Sequence, residues 1–357
     1  RSYAWLAILL WISIPVCFWS YSNNMHENTM SMFTLGSVIF SYKAMQSEQN
    51  KLMYIVAAAC LICLAALTKG FPALFPITVP FLHWLFIRHK SFPKIVLYSI
   101  IMLLVIVMVG VVLYLYPASN ESLSIYLFKR AFQRINEVPS VDSRFFIFWR
   151  LLSELIPAFA FTALFMLISK WKKIDSAFST QKKQALLFIF IGLSGSLPLM
   201  LTMVQNGFYF VASLPFFGIG FALISAPVIH ALLQRIKPEI GTKLLKASAV
   251  LLLSSIVFIY FQKDKFSRDK DLLHDVEQIA SVVPANTRIN CSNSTYSNWS
   301  LNCYLVRTYG ISINNIAFDS TPRKYFVTEF NGERPDTTMF NEIPLTTTQY
   351  KLYQTAK

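Results

Sequence analysis

Two stretches of this chain, residues 52–67 and 95–116, contain no Asp, Glu, Lys or Arg at all. A helix needs about 20 consecutive apolar residues to cross the hydrocarbon core of a bilayer. Seven further stretches approach that length, and together they predict spans near 3–19, 29–45, 53–68, 71–87, 95–116, 146–169, 185–203, 209–230 and 245–262. A soluble core cannot hide so many helices that are apolar all round. Charged residues make up only 14% of the chain, against roughly 25% in soluble domains, so there is too little polar surface to solvate such a bundle. The expected fold class is an all-α polytopic membrane bundle of about nine spans. Prolines 15, 72, 76, 80, 157, 198, 215 and 227 fall inside these spans. In a membrane bundle neighbouring helices satisfy the backbone groups that proline frees.

The net charge of +14 invites a nucleic-acid reading, but its distribution argues against one. No continuous basic stripe is interleaved with stacking aromatics. The cations instead fall in alternate connections: Lys43 and Lys51; Arg88, Lys90 and Lys94; Lys170, Lys172, Lys173, Lys182 and Lys183; Arg235, Lys237, Lys243 and Lys246. The positive-inside rule assigns these to the cytoplasm and the poorly charged connections to the opposite face. Arg1 is then inside and Lys357 outside. Segment 118–144, with Lys129, Arg130, Arg134 and Arg144, is an exception.

Residues 1–262 thus form the transmembrane domain and residues 263–357 a small extracytoplasmic α/β domain. In the latter, Leu272, Leu273, Val276, Ile279 and Ala280 give 269–283 a helical period, and Pro284-Ala285-Asn286 reads as a turn. Residues 288–291, 301–306 and 325–329 suit strands. Cys291 and Cys303 fall on the side where disulfides form, which leaves a bridge between them or two free thiols as alternatives. Cys60 and Cys63 have CxxC spacing but lie in an apolar helix with no second pair, which argues against zinc.

Function is sought among polar groups that a bilayer excludes. A charge at mid-membrane costs at least about 2.5–3.5 kcal/mol on insertion scales, so each one needs a partner or a role. Lys69 ends a span, Glu27 stands just before another, and Gln205 and Tyr209 open a third. With Arg134, all five lie on the extracytoplasmic face in this topology. Arg150 and Glu154, spaced i,i+4, read mainly as a structural ion pair.

Three of these stretches carry a resemblance. Leu67-Thr68-Lys69-Gly70-Phe71-Pro72 is similar to the L-x-K-G-x helix end of the GT-C class of integral-membrane glycosyltransferases, in the bacterial branch of lipid A aminoarabinose transferases and protein O-mannosyltransferases. Glu27-Asn28-Thr29 stands where that family places its second acidic residue. Gln205-Asn206-Gly207-Phe208-Tyr209 with Leu214-Pro215 resembles its polar turn and the Y…P opening of a span. Phe132-Gln133-Arg134-Ile135 falls between the second and third stretches, in family order.

The resemblance covers roughly residues 1–262 and implies transfer of a sugar from a polyprenyl-phosphate donor to an extracytoplasmic acceptor: lipid A, a surface glycan or a protein hydroxyl. It implies a bacterial inner-membrane location. Lys69, Arg134, Tyr209 and Gln205 would bind the lipid phosphate, with Glu27 as supporting acid, and no nucleotide motif is needed. Neither GxGxxG nor a P-loop occurs. The family's catalytic Asp lies upstream of Arg1, so about four further spans are expected before this segment, which alone would be inactive. The family acid is usually Asp where Glu27 stands. Arg130 and Ala131 stand where aminoarabinose transferases often carry His, which leaves a divalent metal there an open alternative and no cofactor required. The rival readings are a transporter or flippase for a lipid-linked or anionic solute, and a membrane scaffold. Neither an internal repeat nor a matched pair of broken helices is visible to favour the transporter.

Overall fold

A computed structural model describes residues 3–23, 25–88, 90–126, 139–174, 178–235, 238–263, 269–317, 321, 323–336 and 338–356. Contacts divide the chain into two units, Arg1–Gly241 and Thr242–Lys357. The first is helical: α1 (Ala4–Ile12), α2 (Pro15–Ser22), α3 (His26–Gln46), α4 (Lys51–Lys69), α5 (Val79–Ile87), α6 (Phe92–Leu115), α7 (Pro117–Ser124), α8 (Phe146–Trp171), α9 (Phe178–Ser196) and α10 (Leu214–Gln234). Helix α11 (Pro238–Phe261) crosses the division.

Among the described residues six helical stretches are long and apolar enough to cross a membrane, or seven if the bent pair α1 and α2 counts as one. The difference from nine has local causes. Residues 3–19 do not form one straight span: α1 and α2 meet at 75°. Pro15, at the first position of α2, has no N–H to continue the ladder. Residues 71–87 split into a 3-10 run, Phe71–Thr78, and the short α5. Pro72, Pro76 and Pro80 punctuate this stretch, removing donors that an α-helix needs. Helix α3 is full length, but its Ser31, Thr34, Ser37 and Ser41 are all buried and lower its hydropathy.

That serine and threonine stripe also explains the packing. Small residues let helix backbones approach closely in a membrane, and α3 packs most extensively on α4, where Ala58, Ala59, Ile62 and Ala65 are buried. Helix α10 is central: Leu214, Phe217 and Phe221 pack with Leu6 and Leu10 of α1 and Leu151 and Leu155 of α8. On another side Phe216 packs with Leu187 and Ile191 of α9. Gly218 permits the α1 contact, since a Cβ there would lie 2.9 Å from the Ala7 carbonyl oxygen. Helix α6 exposes Leu103, Leu104, Val107, Met108, Val111 and Val112. Such a surface is a liability in water but matches lipid. The unit is an integral membrane protein.

The second unit carries a five-stranded sheet of order β2-β1-β3-β5-β4. The strands are β1 (Arg288–Cys291), β2 (Ser312–Asn315), β3 (Tyr325–Glu329), β4 (Phe340–Ile343) and β5 (Tyr350–Thr355). β1 pairs in parallel with β2 and β3, whereas β5 is antiparallel to β3 and β4. Helices α12 (Lys270–Val282), α13 (Asn293–Tyr296) and α14 (Trp299–Tyr309) complete it. Leu272, Val276 and Ile279 form the buried stripe of α12. Buried Asp275 accepts backbone hydrogen bonds from Thr348, Gln349 and Tyr350, fixing the start of β5.

Residues 301–306 are helical, not a strand. Asn298 caps α14 by accepting from Ser300 and Leu301 N–H, and Gly310, at φ +68°, ends it. Leu301 and Leu305 then share one buried face. Cys291 is buried in β1 and Cys303 is exposed on α14. Both thiols are free, so the bridge is not formed.

Candidate functional site

Lys69 is the last residue of α4, and Gly70 ends the helix in the left-handed region at φ +79°. A side chain at Gly70 would collide with the Tyr126 hydroxyl, which accepts the Phe71 N–H at 3.2 Å. Glu27 stands in the first turn of α3, where the helix dipole favours an acid. Lys69 Nζ meets Glu27 Oε1 at 2.7 Å. The carboxylate is only 1% exposed and the ammonium side chain 27%. The approach is a charge contact rather than an aligned hydrogen bond, and Glu27 Oε2 has no hydrogen-bond donor among the described residues. A buried carboxylate this enclosed needs its counter-ion.

The cation also touches the turn that leads into α10. Nζ lies 5.4 Å from the centre of the Tyr209 ring and 6.0 Å from that of Phe208. Aromatic faces attract a cation at this range. The Tyr209 hydroxyl accepts from Asn206 Nδ2 at 2.9 Å, leaving its own proton for another acceptor. Asn28, beside Glu27, exchanges hydrogen bonds with Ser20, donating to its carbonyl and accepting from its hydroxyl, each at 2.9 Å. This anchors the head of α3 to the end of α2.

Gln205 is placed differently from the others. Its Oε1 accepts the Ile147 N–H at 2.9 Å, and its Nε2 donates to the carbonyls of Arg144 at 3.0 Å and Thr202 at 2.8 Å. It is buried and caps the head of α8. Arg150 and Glu154 do form the intrahelical pair, at 2.6 Å. Glu154 Oε2 additionally accepts the Val16 N–H of α2 at 2.7 Å, and Arg150 Nε lies against Gly207. Arg134, with Arg130, Ala131, Phe132, Gln133 and Ile135, lies outside the described residues. No group of three His, Cys, Asp or Glu among the described residues could hold a metal ion. An open cavity of about 520 Å³ is lined by Asp142, Ser143, Phe146, Trp149, Arg150 and Ser153.

Sequence reasoning thus missed Tyr126, Asn28 with Ser20, and the approach of Arg150 to Gly207. The Asn next to Glu27 at a helix head was a readable signal; nothing in the sequence pointed to Tyr126.

No family model matches the chain, and no curated protein matches its sequence. A solved structure does: ArnT from Cupriavidus metallidurans bound to undecaprenyl phosphate. It superposes with a TM-score of 0.57 over 98% of this chain and 78% of that chain, at 13% sequence identity. The fold is that of ArnT. ArnT is a lipid A aminoarabinose transferase of the GT-C class, so the likeness of fold falls on the class that the three sequence stretches resemble. The ArnT likeness takes in both units of the chain, including the C-terminal sheet.

Proposed function

We propose that this chain forms the lipid-phosphate side of an integral-membrane glycosyltransferase, one that takes a sugar from a polyprenyl phosphate and passes it to an extracytoplasmic acceptor. The observation that carries the reading is the Lys69 cluster. A partly exposed ammonium is held by a buried carboxylate and lies over Tyr209, on a fold shared with a protein that binds undecaprenyl phosphate.

When the sugar leaves, negative charge develops on the lipid phosphate. Cations and donors fixed in advance stabilise that charge without having to reorganise. Lys69 supplies one charge, and Arg134 a guanidinium able to grip two oxygens. The Tyr209 proton supplies a neutral hydrogen bond. Glu27, buried beneath Lys69, holds that cation in place through Oε1. Gln205 acts by shaping the turn that carries Tyr209. Exposed apolar side chains of the bundle give the prenyl chain a lipid-like path.

In this reading residues 1–262 cross a bacterial inner membrane, with α3 and the stretch 71–87 counted among nine spans, and residues 263–357 lie outside the cytoplasm. The acceptor is lipid A, a surface glycan or a protein hydroxyl. The test is binding of undecaprenyl phosphate to the full-length protein in nanodiscs. Wild type should bind it saturably, and Lys69→Met should weaken binding about tenfold or more, the value of one lost charge-assisted contact. Equal binding by Lys69→Met would remove the basis of the proposal.

A further inference from the structure

Beyond α11, the second unit gathers large exposed apolar side chains at one end. β1 is parallel to both β2 and β3, so the carboxyl ends of all three share an edge. Tyr296 and Trp299 follow β1, Ile316 follows β2 and Phe330 follows β3. Helix α14 runs from Trp299 back to the start of β2, which keeps its first residue at this same end. Trp299 is 78% exposed, and Tyr296, Ile316 and Phe330 are exposed as well. Apolar side chains exposed together mark a surface that meets something other than water.

In open α/β sheets the crevice beyond the carboxyl ends, where strand order reverses, receives small ligands. Here β1 stands between β2 and β3, so the reversal falls between β1 and β3. The chain fills that crevice with its own groups. The buried Ser292 hydroxyl bonds with Thr295 Oγ1 at 2.8 Å and accepts from Thr328 Oγ1 at 3.1 Å. Thr295 Oγ1 also accepts the Glu329 N–H at 3.1 Å. A satisfied polar floor with exposed rings on the segments that follow it suits a broad apolar surface better than a small molecule.

The path of the chain says which surface lies within reach. Helix α12 turns directly into the start of β1, so its head at Lys270 lies towards the carboxyl edge. Asp275 binds the first residue of β5, a strand that begins at that edge because it is antiparallel to β3. The Tyr304 hydroxyl donates to Asp269 Oδ2 at 2.9 Å, fastening the entry of the chain to α14. Residues 262–269 separate this entry from Phe261, the last residue of α11. They span no more than about 30 Å at full extension. Glu239–Phe261 is long and apolar enough to cross a membrane. The end that bears the exposed rings is therefore the end tied to the bilayer. Trp and Tyr are the residues enriched where hydrocarbon meets water. A short tether makes the contact intramolecular, so a modest apolar area suffices to hold it.

We propose that this end of the second unit rests on the lipid bilayer, with Trp299 and Tyr296 seated in the headgroup zone. The proposal depends on α11 crossing the membrane and not on the sugar-transfer reading.

The experiment uses the full-length protein in nanodiscs, with Cys60→Ser and Cys303→Ser removing the exposed thiols. Ser300→Cys places an NBD fluorophore beside Trp299 and leaves the rings intact. Met339→Cys places it before β4, which runs parallel to β3 and so begins at the opposite edge. Lipids with a nitroxide near the head of the acyl chain should quench the label at 300 more than lipids with it near the chain end. A group seated about 5–10 Å into the interface has that depth profile. Iodide in the water should quench the label at 300 less than the label at 339, which lipid nitroxides should not reach. Trp299→Ser/Phe330→Ser, a change of exposed side chains, should abolish the lipid quenching at 300 and open that label to iodide. Equal access of iodide to both labels would overturn the proposal. So would a label at 300 that is shielded from iodide yet untouched by lipid nitroxides, since protein would then cover this end. Lipid quenching that survives Trp299→Ser/Phe330→Ser would overturn it too, because the rings would not be what holds the end down.

Discussion

Lys69 closes α4 and Glu27 opens α3, and their side chains meet at 2.7 Å with the carboxylate almost wholly removed from water. The buried carboxylate would not be tolerated there without its counter-ion. The contact fixes the end of one helix against the start of another and leaves the ammonium over the rings of Phe208 and Tyr209. A structural tie and a candidate binding group are thus the same pair.

Removing one partner should cost more than removing both. Lys69→Met leaves Glu27 buried and uncompensated, at about 3 kcal/mol, the low end for a buried pair because Lys69 is partly in reach of water. The double variant Lys69→Met/Glu27→Gln should recover most of that stability while still failing to bind undecaprenyl phosphate. Thermal unfolding of the three variants in nanodiscs checks the cycle; additive losses would mean the two residues are not coupled.

Gln205→Ala should destabilise the head of α8. It leaves the Ile147 N–H without its acceptor and two carbonyls without a donor, a loss of about 1–3 kcal/mol. Hydrogen exchange at Ile147 should accelerate. Undecaprenyl phosphate affinity should fall less than in Lys69→Met, because Gln205 acts through the turn. A larger loss than in Lys69→Met would instead point to direct contact with the lipid.

The two C-terminal thiols should behave oppositely. Burial in β1 pushes the Cys291 thiol up to about 12, while Cys303 is exposed. Alkylation of the native protein at pH 8 should label Cys303 and spare Cys291, with both recovered unbridged by mass spectrometry. Because folding favours the neutral Cys291 thiol, its contribution to stability is full below the ordinary thiol value near 9. It is lost as pH rises from there through about 12. Cys291→Ser should remove that alkaline component from the pH–stability curve.

Asp275→Ala should loosen the second unit. The carboxylate accepts from three consecutive backbone N–H groups, at 2.6, 2.7 and 3.1 Å, and from the Thr348 hydroxyl. Their loss should cost about 2–4 kcal/mol, since bonds to a charged group are each worth roughly 1.5–3 kcal/mol and the freed N–H groups regain water only in part. Faster exchange of the amides at 348–350 tests this, and unchanged protection would show that the sheet holds β5 unaided.

The membrane class was legible because bilayer thickness converts directly into run length. Residues 95–116 and 146–169 became α6 and α8 with little change at their ends. Lys69 and Glu27 were legible as candidates because an ion near hydrocarbon demands a partner, and Tyr209 because it opens a span on the same face. The break between α1 and α2 was less so: Pro15 in a span is compatible with a straight, kinked or divided helix, and only packing decides. Residues 301–306 were read as a strand because a short apolar run fits either period. The cap at Asn298 and the stop at Gly310 were present in the sequence and would have favoured the helix. The role of Gln205 was out of reach, since its partners are backbone groups of another segment. The same holds for Arg150 on Gly207, a contact made possible by the absence of a side chain.

Glu154 has a consequence for how the protein is made. It joins the head of α2, through Val16, to Arg150, which in turn lies on Gly207. Pro15 contributes no N–H, so the Val16 N–H is the first donor that the head of α2 must satisfy. The ribosome delivers that donor long before the acceptor at residue 154, and the acceptor before the glycine at 207. The bend between the first two helices therefore waits, unlocked, while several later helices enter the membrane. The first bend of the bundle thus depends on a residue of α8, made well over a hundred residues later.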